Sequence, residues 1–277
     1  MPGGYEADMR KTHIDKEYIL KCLNRELDEY IEEGDYTHKL ESEFPKRYDA
    51  EASILSKMIF LRLLEIDKSR VKDFFSSAMW INGIKVSFDI MNNPKASKRD
   101  SYRLGNNAQG KEVNNLSEWE ELKYTIGNFG VLPTANKKGL RHLQAVHNNK
   151  NERWDFLLEY CKEHWEEYSC DLYPSFRNYI IKTAQHVYVK EVLEDLKEKL
   201  GSRKIEDVED SEFENWIKHW NNLLRCECKE CEIISFGTKT KNMDDKEINE
   251  VVDLICLLIK VRGRMIITLL KQGKYYY

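Results

Sequence analysis

The run Cys226-Glu-Cys228-Lys-Glu-Cys231, with His219 seven residues before its first cysteine, is the densest set of metal-ligating side chains in this sequence. Three thiolates and an imidazole would satisfy tetrahedral zinc, and His219 and Cys226, two turns apart, would share one helical face. Structural zinc sites more often pair their cysteines as C-x2-C, so the fourth ligand stays open among His219, Cys22, Cys161, Cys170 and Cys256. The bland reading makes Cys228 and Cys231 small buried residues at a helix end that feeds the apolar segment Ile233-Ile-Ser-Phe236. A second group comprises His142, His147, Glu159, Glu163 and His164. Glu159 and Glu163 face the same way on a helix, yet neither carries a histidine at the i+3 spacing that carboxylate-bridged di-iron sites use. Lysines and glutamates interspersed from Glu159 to Glu167 describe a solvated helix face. There is no glycine-rich phosphate loop, no G-x-S-x-G elbow and no Cys-His nucleophile pair, which removes support for nucleotide-binding and ordinary hydrolase readings.

The third constellation is Tyr124-Thr-Ile-Gly-Asn-Phe-Gly-Val-Leu-Pro133, continuing through Asn136 to Arg153-Trp-Asp-Phe-Leu-Leu-Glu-Tyr-Cys161. An Ile-Gly-Asn turn entering an apolar strand, followed by an Asn-bearing helix, resembles the second half of the ββα-metal site of HNH endonucleases. The resemblance implies that Asn128 takes the turn position, that Phe129 to Leu132 form the strand, and that Asn136 with His142 or His147 lies on or near the helix completing a divalent-metal site. The sequence departs from that pattern because no histidine occurs between His38 and His142. Asp89 is then the base candidate on the preceding strand, and an unperturbed aspartate at about 4 is poorly matched to general-base work at neutral pH. The catalytic candidates under this resemblance are Asn128, Asp89 and His147. Read from the residues alone, Gly127 and Asn128 make a turn while Phe129, Val131 and Leu132 fill the core. Thr-Ile-Gly-Asn with its Pro ending, then Arg153-x-Asp155-x-x-Leu158-Glu159-x-Cys161 and a later aromatic-rich helix, is also similar to uncharacterised bacterial proteins of unknown function. That likeness spans roughly residues 124–196 and implies no activity.

The elements that must position these residues are mostly helices. Asp15 caps a helix carrying Tyr18, Ile19, Cys22, Leu23, Leu27, Tyr30 and Ile31, with Gly34 placed to stop it. A second helical region, residues 51–77, is apolar enough to be buried on more than one face. Residues 81–90 alternate with period two and turn at Asn82-Gly83, predicting a strand. Further helices are expected over 152–168, 175–200 and 207–225. The acidic run Glu206, Asp207, Glu209 and Asp210 suits a helix start, where the macrodipole favours negative charge. Residues 248–271 are apolar but interrupted by Asp253, Lys260, Arg262 and Arg264, which excludes a membrane span. This helix is a core element or a surface for homo-oligomerisation.

Between residues 92 and 115 the hydrophobic pattern stops. Lys95, Lys98, Arg99, Arg103 and Lys111 face only Asp100 and Glu112 there, so this is either a floppy insertion or a loop that meets nucleic-acid phosphates. Globally, 277 residues with 41% hydrophobic content can supply a core, and a net charge of -4 gives no general attraction to nucleic acid. The amino end lacks a secretory pattern and the seven cysteines then read as reduced thiols, so the expected compartment is the cytoplasm, with no membrane partner. The expected fold is mainly α with a small β element (α+β) assembled from 81–90, 124–132 and 233–236 around a helical bundle-like core. We expect a single domain over 1–277, with 201–206 as the point of any subdivision. The expected function is a non-enzymatic interaction protein of a bacterial or mobile-element system, binding a protein partner. The alternative is an unconventional HNH-like nuclease using a divalent metal.

Overall fold

The computed structural model describes residues 16–40, 54–74, 79–92, 116–133, 143, 153–169, 171–224, 231–237 and 244–273. Helix α1 (Lys16–Glu33) buries Leu23, Leu27, Tyr30 and Ile31 and stops where Gly34 turns to a φ of 71°. Helix α2 (Ile54–Leu63) ends well short of the expected residue 77. Glu65 takes a φ of 53°, and the Ile66 N–H returns to the Leu61 carbonyl at 2.9 Å, the bond that closes a Schellman turn. The Asp67 carboxylate then accepts from the Ser69 N–H and starts a 3₁₀ turn, Lys68–Arg70, that delivers the chain into strand β1 (Val71–Lys72). The reversal coincides with a change of composition, from the buried apolar run before it to the charged and exposed residues 67–70 after it.

Strands β2 (Met79–Ile81) and β3 (Ile84–Ile90) form the hairpin that the alternation predicts. Asn82 and Gly83 both have positive φ, 53° and 78°, which matches the right-handed twist of the flanking strands. After helix α3 (Leu116–Leu122), strand β4 (Phe129–Pro133) pairs antiparallel with β3, placing Phe88 opposite Val131 and Asp89 opposite Gly130. The four strands lie in the order β1-β2-β3-β4. Every residue of β4 is buried, which is why it reads as an apolar run rather than an alternation.

The carboxyl-terminal half is helical, with two expected helices broken. Helix α4 (Trp154–Glu163) stops at His164, whose Nδ1 lies 3.0 Å from the Tyr160 carbonyl and whose ring stacks on Tyr160, before the short α5 (Trp165–Tyr168). The helix expected over 175–200 is two, α6 (Phe176–Lys182) and α7 (Lys190–Leu200). Thr183 turns its hydroxyl onto the Tyr179 carbonyl, Ala184 adopts a φ of 53°, and a 3₁₀ turn at His186–Tyr188 follows. Residues 233–236 correct a further expectation, since Ile233 forms a single bridge to Val189 and takes no place in the four-stranded sheet. Helices α8 (Asp210–Leu223) and α9 (Asp245–Gln272) complete the chain. Asp244 and Glu247 exchange backbone hydrogen bonds at 2.8 Å to cap α9, and Gly273 closes it in the left-handed region. The acidic run does more than face a helix start: Glu206 pairs with Lys260 at 2.8 Å and Asp210 with Arg264 at 2.7 Å, both on α9.

The protein is therefore mainly helical with one small antiparallel sheet, and its buried apolar side chains form one cluster reaching from α1 to α9. Among the described residues no helix is long and apolar enough to cross a membrane. The apolar side chains of α9, from Val252 and Ile255 to Leu269 and Leu270, are buried within the chain itself.

His186, in the break between α6 and α7, is buried and donates from Nε2 to the Asn221 Oδ1 at 2.7 Å, leaving Nδ1 without a hydrogen-bond partner. Burial pulls its pKa down from 6.5 to about 4, only partly opposed by Asn221. A depressed imidazole pKa stabilises the fold fully above the unfolded value, and that contribution is lost as pH falls from 6.5 toward 4, roughly 3 kcal/mol in all. Denaturant melts of wild type and His186→Phe across this range should show a steeper loss for wild type. Parallel losses would contradict a buried neutral imidazole.

Candidate functional site

The segment that carries the nuclease resemblance is a 3₁₀ turn, Ile126–Asn128, leading straight into β4. It lies against α9 closely enough that a Cβ on Gly127 would stand 1.9 Å from the Ile259 carbonyl oxygen and 2.9 Å from the Gly263 nitrogen. A glycine is required here by the approach of two backbones. Gly130 has a comparable reason, since a Cβ there would fall 2.2 Å from the indole of Trp154 on α4.

Asn128 is fully buried, and its amide is committed to backbone groups. Its Oδ1 accepts from the Asn92 N–H at 3.0 Å, and its Nδ2 donates to the carbonyls of Asn92 at 3.2 Å and Lys123 at 3.0 Å. Its carbonyl also takes the Met91 N–H, so turn and strand end are laced together. Asn92 is equally engaged. Its carbonyl further accepts from the Trp119 indole, its Nδ2 donates to the Tyr188 hydroxyl at 2.7 Å, and its Oδ1 receives the Trp154 N–H at 3.3 Å.

Beneath the turn sits Arg262 of α9, also fully buried. Its guanidinium donates to the carbonyls of Ile126 (3.3 Å), Gly127 (2.9 Å) and Phe129 on one side and of Thr183 (2.8 and 3.2 Å) on the other. Burial lowers its pKa to about 10, with Tyr188, Tyr179 and Tyr173 opposing, so the group stays charged at neutral pH. Arg264, two residues on and on the other side of α9, donates to the carbonyls of Ile205 and Val208 and to Asp210. The arginines that sequence reading took as interruptions of an apolar helix are its two polar anchors. The available signal was the Arg-Gly-Arg step itself, where small Gly263 lies between two long donors inside an apolar run.

The structure places the other candidates apart. Asp89 is partly exposed on β3 opposite Gly130, its Oδ1 accepting from the Ile90 N–H, while the Asn128 amide faces Asn92 and Lys123. Asn136, His142 and His147 lie outside the described residues, as do Lys95, Lys98, Arg99 and Arg103 and most of the 92–115 loop. His219, on α8, stands 3.5 Å from Asp195 on α7. The Cys231 carbonyl accepts from Lys162, and Cys226 and Cys228 fall outside the described residues, beyond the end of α8. Among the described residues no group of three or more His, Cys, Asp or Glu side chains is arranged to hold a metal ion. Asp155 of the Arg-x-Asp motif is buried, bonded to Arg153 and to the Phe236 N–H at 3.0 Å, where it ties the 231–237 segment to the first turn of α4. Leu158 and Cys161 of the same motif are core residues.

No family model, curated protein or solved structure matches this chain.

These contacts give substitutions with definite outcomes. Arg262→Met removes the guanidinium from four buried carbonyls, of which Ile126 keeps the Phe129 N–H, and should cost about 3–5 kcal/mol in denaturant unfolding. Gly127→Ala forces α9 off the turn and should cost about 3 kcal/mol or more. Asn128→Asp should be as harmful as Asn128→Ala, because the carboxylate would confront the carbonyls of Asn92 and Lys123. A stable Asn128→Asp protein would contradict the geometry.

Proposed function

We propose that this protein is a non-enzymatic interaction protein. The observation carrying this reading is the commitment of Asn128: the residue that would orient a catalytic group in a ββα-metal site uses both ends of its amide to hold backbone together. The neighbouring polar groups follow it inward. Arg262 and Asp155 bind main-chain atoms, and His186 binds Asn221 in the interior. What the described surface offers instead is exposed apolar area, led by Trp80 on β2 and Leu223 at the end of α8. Of the two, an exposed tryptophan is the residue type in which partner contacts concentrate binding energy.

The compartment assigned by this reading is the cytoplasm. Cys161 and Cys256 are buried and form no disulfide, and burial pushes both up to about 12, which suits reduced cysteines packed as small apolar groups.

The test pairs two assays on the full chain. Plasmid DNA and structured RNA are incubated with magnesium or manganese, using wild type and Asp89→Ala at matched foldedness, and reciprocal tagged pull-downs are run in parallel. The proposal predicts no metal-dependent cleavage and a partner recovered from both directions. Cleavage that disappears in Asp89→Ala would overturn it in favour of the nuclease.

A further inference from the structure

The outer face of the sheet is divided. Toward β4 it is closed, with Trp154 lying over Gly130 and Leu132 buried opposite Ser87. Toward β1 it is open, and there the register sets Lys72, Trp80 and Lys85 side by side across three strands. Directly opposed residues of antiparallel strands sit about 4.5–5.5 Å apart at Cβ, so the indole has an ammonium stem on each flank. Arg70 extends the row, since its carbonyl receives the Asn82 N–H at 3.0 Å and continues the β1–β2 pairing by one residue. Trp80 remains 39% exposed at the centre, while Met79 and Ile81 on either side of it are buried in the core. The indole is thus held on a rigid strand by its neighbours without being covered itself.

The charges near this row are Lys68, Arg70, Lys72 and Lys85 against Asp67, Asp73 and, further along β3, Asp89. Asp67 accepts from the Ser69 N–H and hydroxyl, which holds its carboxyl below the ordinary value and keeps it charged, and Asp89 accepts from the Ile90 N–H. Lys72 and Lys85 flank the ring directly. The group as a whole is four cations against three carboxylates, an excess of one in a chain whose net charge is -4. A fixed, uncovered aromatic with cations to either side matches one ligand chemistry: a base that stacks on the ring and phosphates that reach the flanking ammonium groups.

We propose that the open end of the sheet, centred on Trp80 with Lys72 and Lys85, binds single-stranded nucleic acid without sequence preference. This rests on the interaction reading and names the partner class. Stacking gives the contact, because every base presents a π-face, and the lysines give it salt dependence. A carboxylate-rich protein segment would satisfy the lysines but would leave the flat ring unmatched.

The experiment is fluorescence anisotropy of labelled oligo(dT) titrated with wild type, Trp80→Ala, Trp80→Phe and the Lys72→Glu/Lys85→Glu double variant. All three positions substituted lie outside the core cluster, and circular dichroism checks that each variant is folded. Binding by wild type should weaken with added salt, drop about tenfold or more in Trp80→Ala, largely return in Trp80→Phe, and vanish in the double variant. No binding by wild type would overturn the proposal, and so would binding that Trp80→Ala leaves intact. Loss of a pulled-down protein partner in Trp80→Ala, with no oligonucleotide bound by wild type, would also overturn it while leaving the interaction reading standing. Metal-dependent cleavage of the probe would instead sink the interaction reading.

Discussion

A buried guanidinium that answers to carbonyl oxygens is the constraint around which this protein is arranged. Arg262 reaches across the core from α9 and binds the turn at 126–129 with one edge and the Thr183 carbonyl at the end of α6 with another. An ammonium could not do this, since only a planar fork with several fixed N–H vectors serves two separated backbone segments at once. The carbonyls in turn have few alternatives. They lie at a 3₁₀ turn with the strand start after it and at a helix end, places where main-chain acceptors lack regular partners, although Ile126 also takes the Phe129 N–H. Cation and orphan acceptors therefore solve each other's desolvation problem, and the tyrosines packed nearby favour the charge.

Much of the fold follows from that meeting. The turn can only lie so close to α9 because Gly127 and Gly263 face each other without side chains between them. With the turn fixed, Asn128 holds Asn92, and Asn92 holds Tyr188 and the first N–H of α4. Trp154 at the head of α4 then settles over Gly130 and shuts one end of the sheet. The closed end is consequently structural, and the open end, where Trp80 stands opposite Lys72 and Lys85, is the surface we propose for a partner. Interior order and exposed surface are two results of the same placement.

Those relationships explain what could be read in advance. Helices α1 and α9 and the Asn82-Gly83 hairpin were legible because each is announced by local chemistry: a terminal glycine, an uninterrupted helical period, a two-residue turn between alternating runs. Reversals at Glu65 and Ala184 were not, since non-glycine residues there take left-handed conformations that tertiary packing imposes. The Ile233–Phe236 segment looked like a sheet strand because it is apolar, but it is apolar to cover Val189 and Tyr188. Asn128 stood out in the sequence as a catalytic candidate, and in the structure its amide is bonded to backbone groups. A glycine and an asparagine in a turn suit both a catalytic loop and a backbone clamp, and only the identity of the three groups around the amide tells them apart. Arg262 needed a partner across more than a hundred residues of sequence, a distance over which side-chain spacing carries no information.

Native-state hydrogen exchange is the most direct measure of whether the 126–129 turn is a locked centre. The Met91 and Asn92 N–H groups both donate to Asn128. If Arg262 and its carbonyls hold the fold together, these amides exchange only through global unfolding, at the same free energy as the middle of α9. Exchange through a low-energy local opening, like that expected of the two-residue edge strand β1, would show that the turn moves independently and would contradict the account.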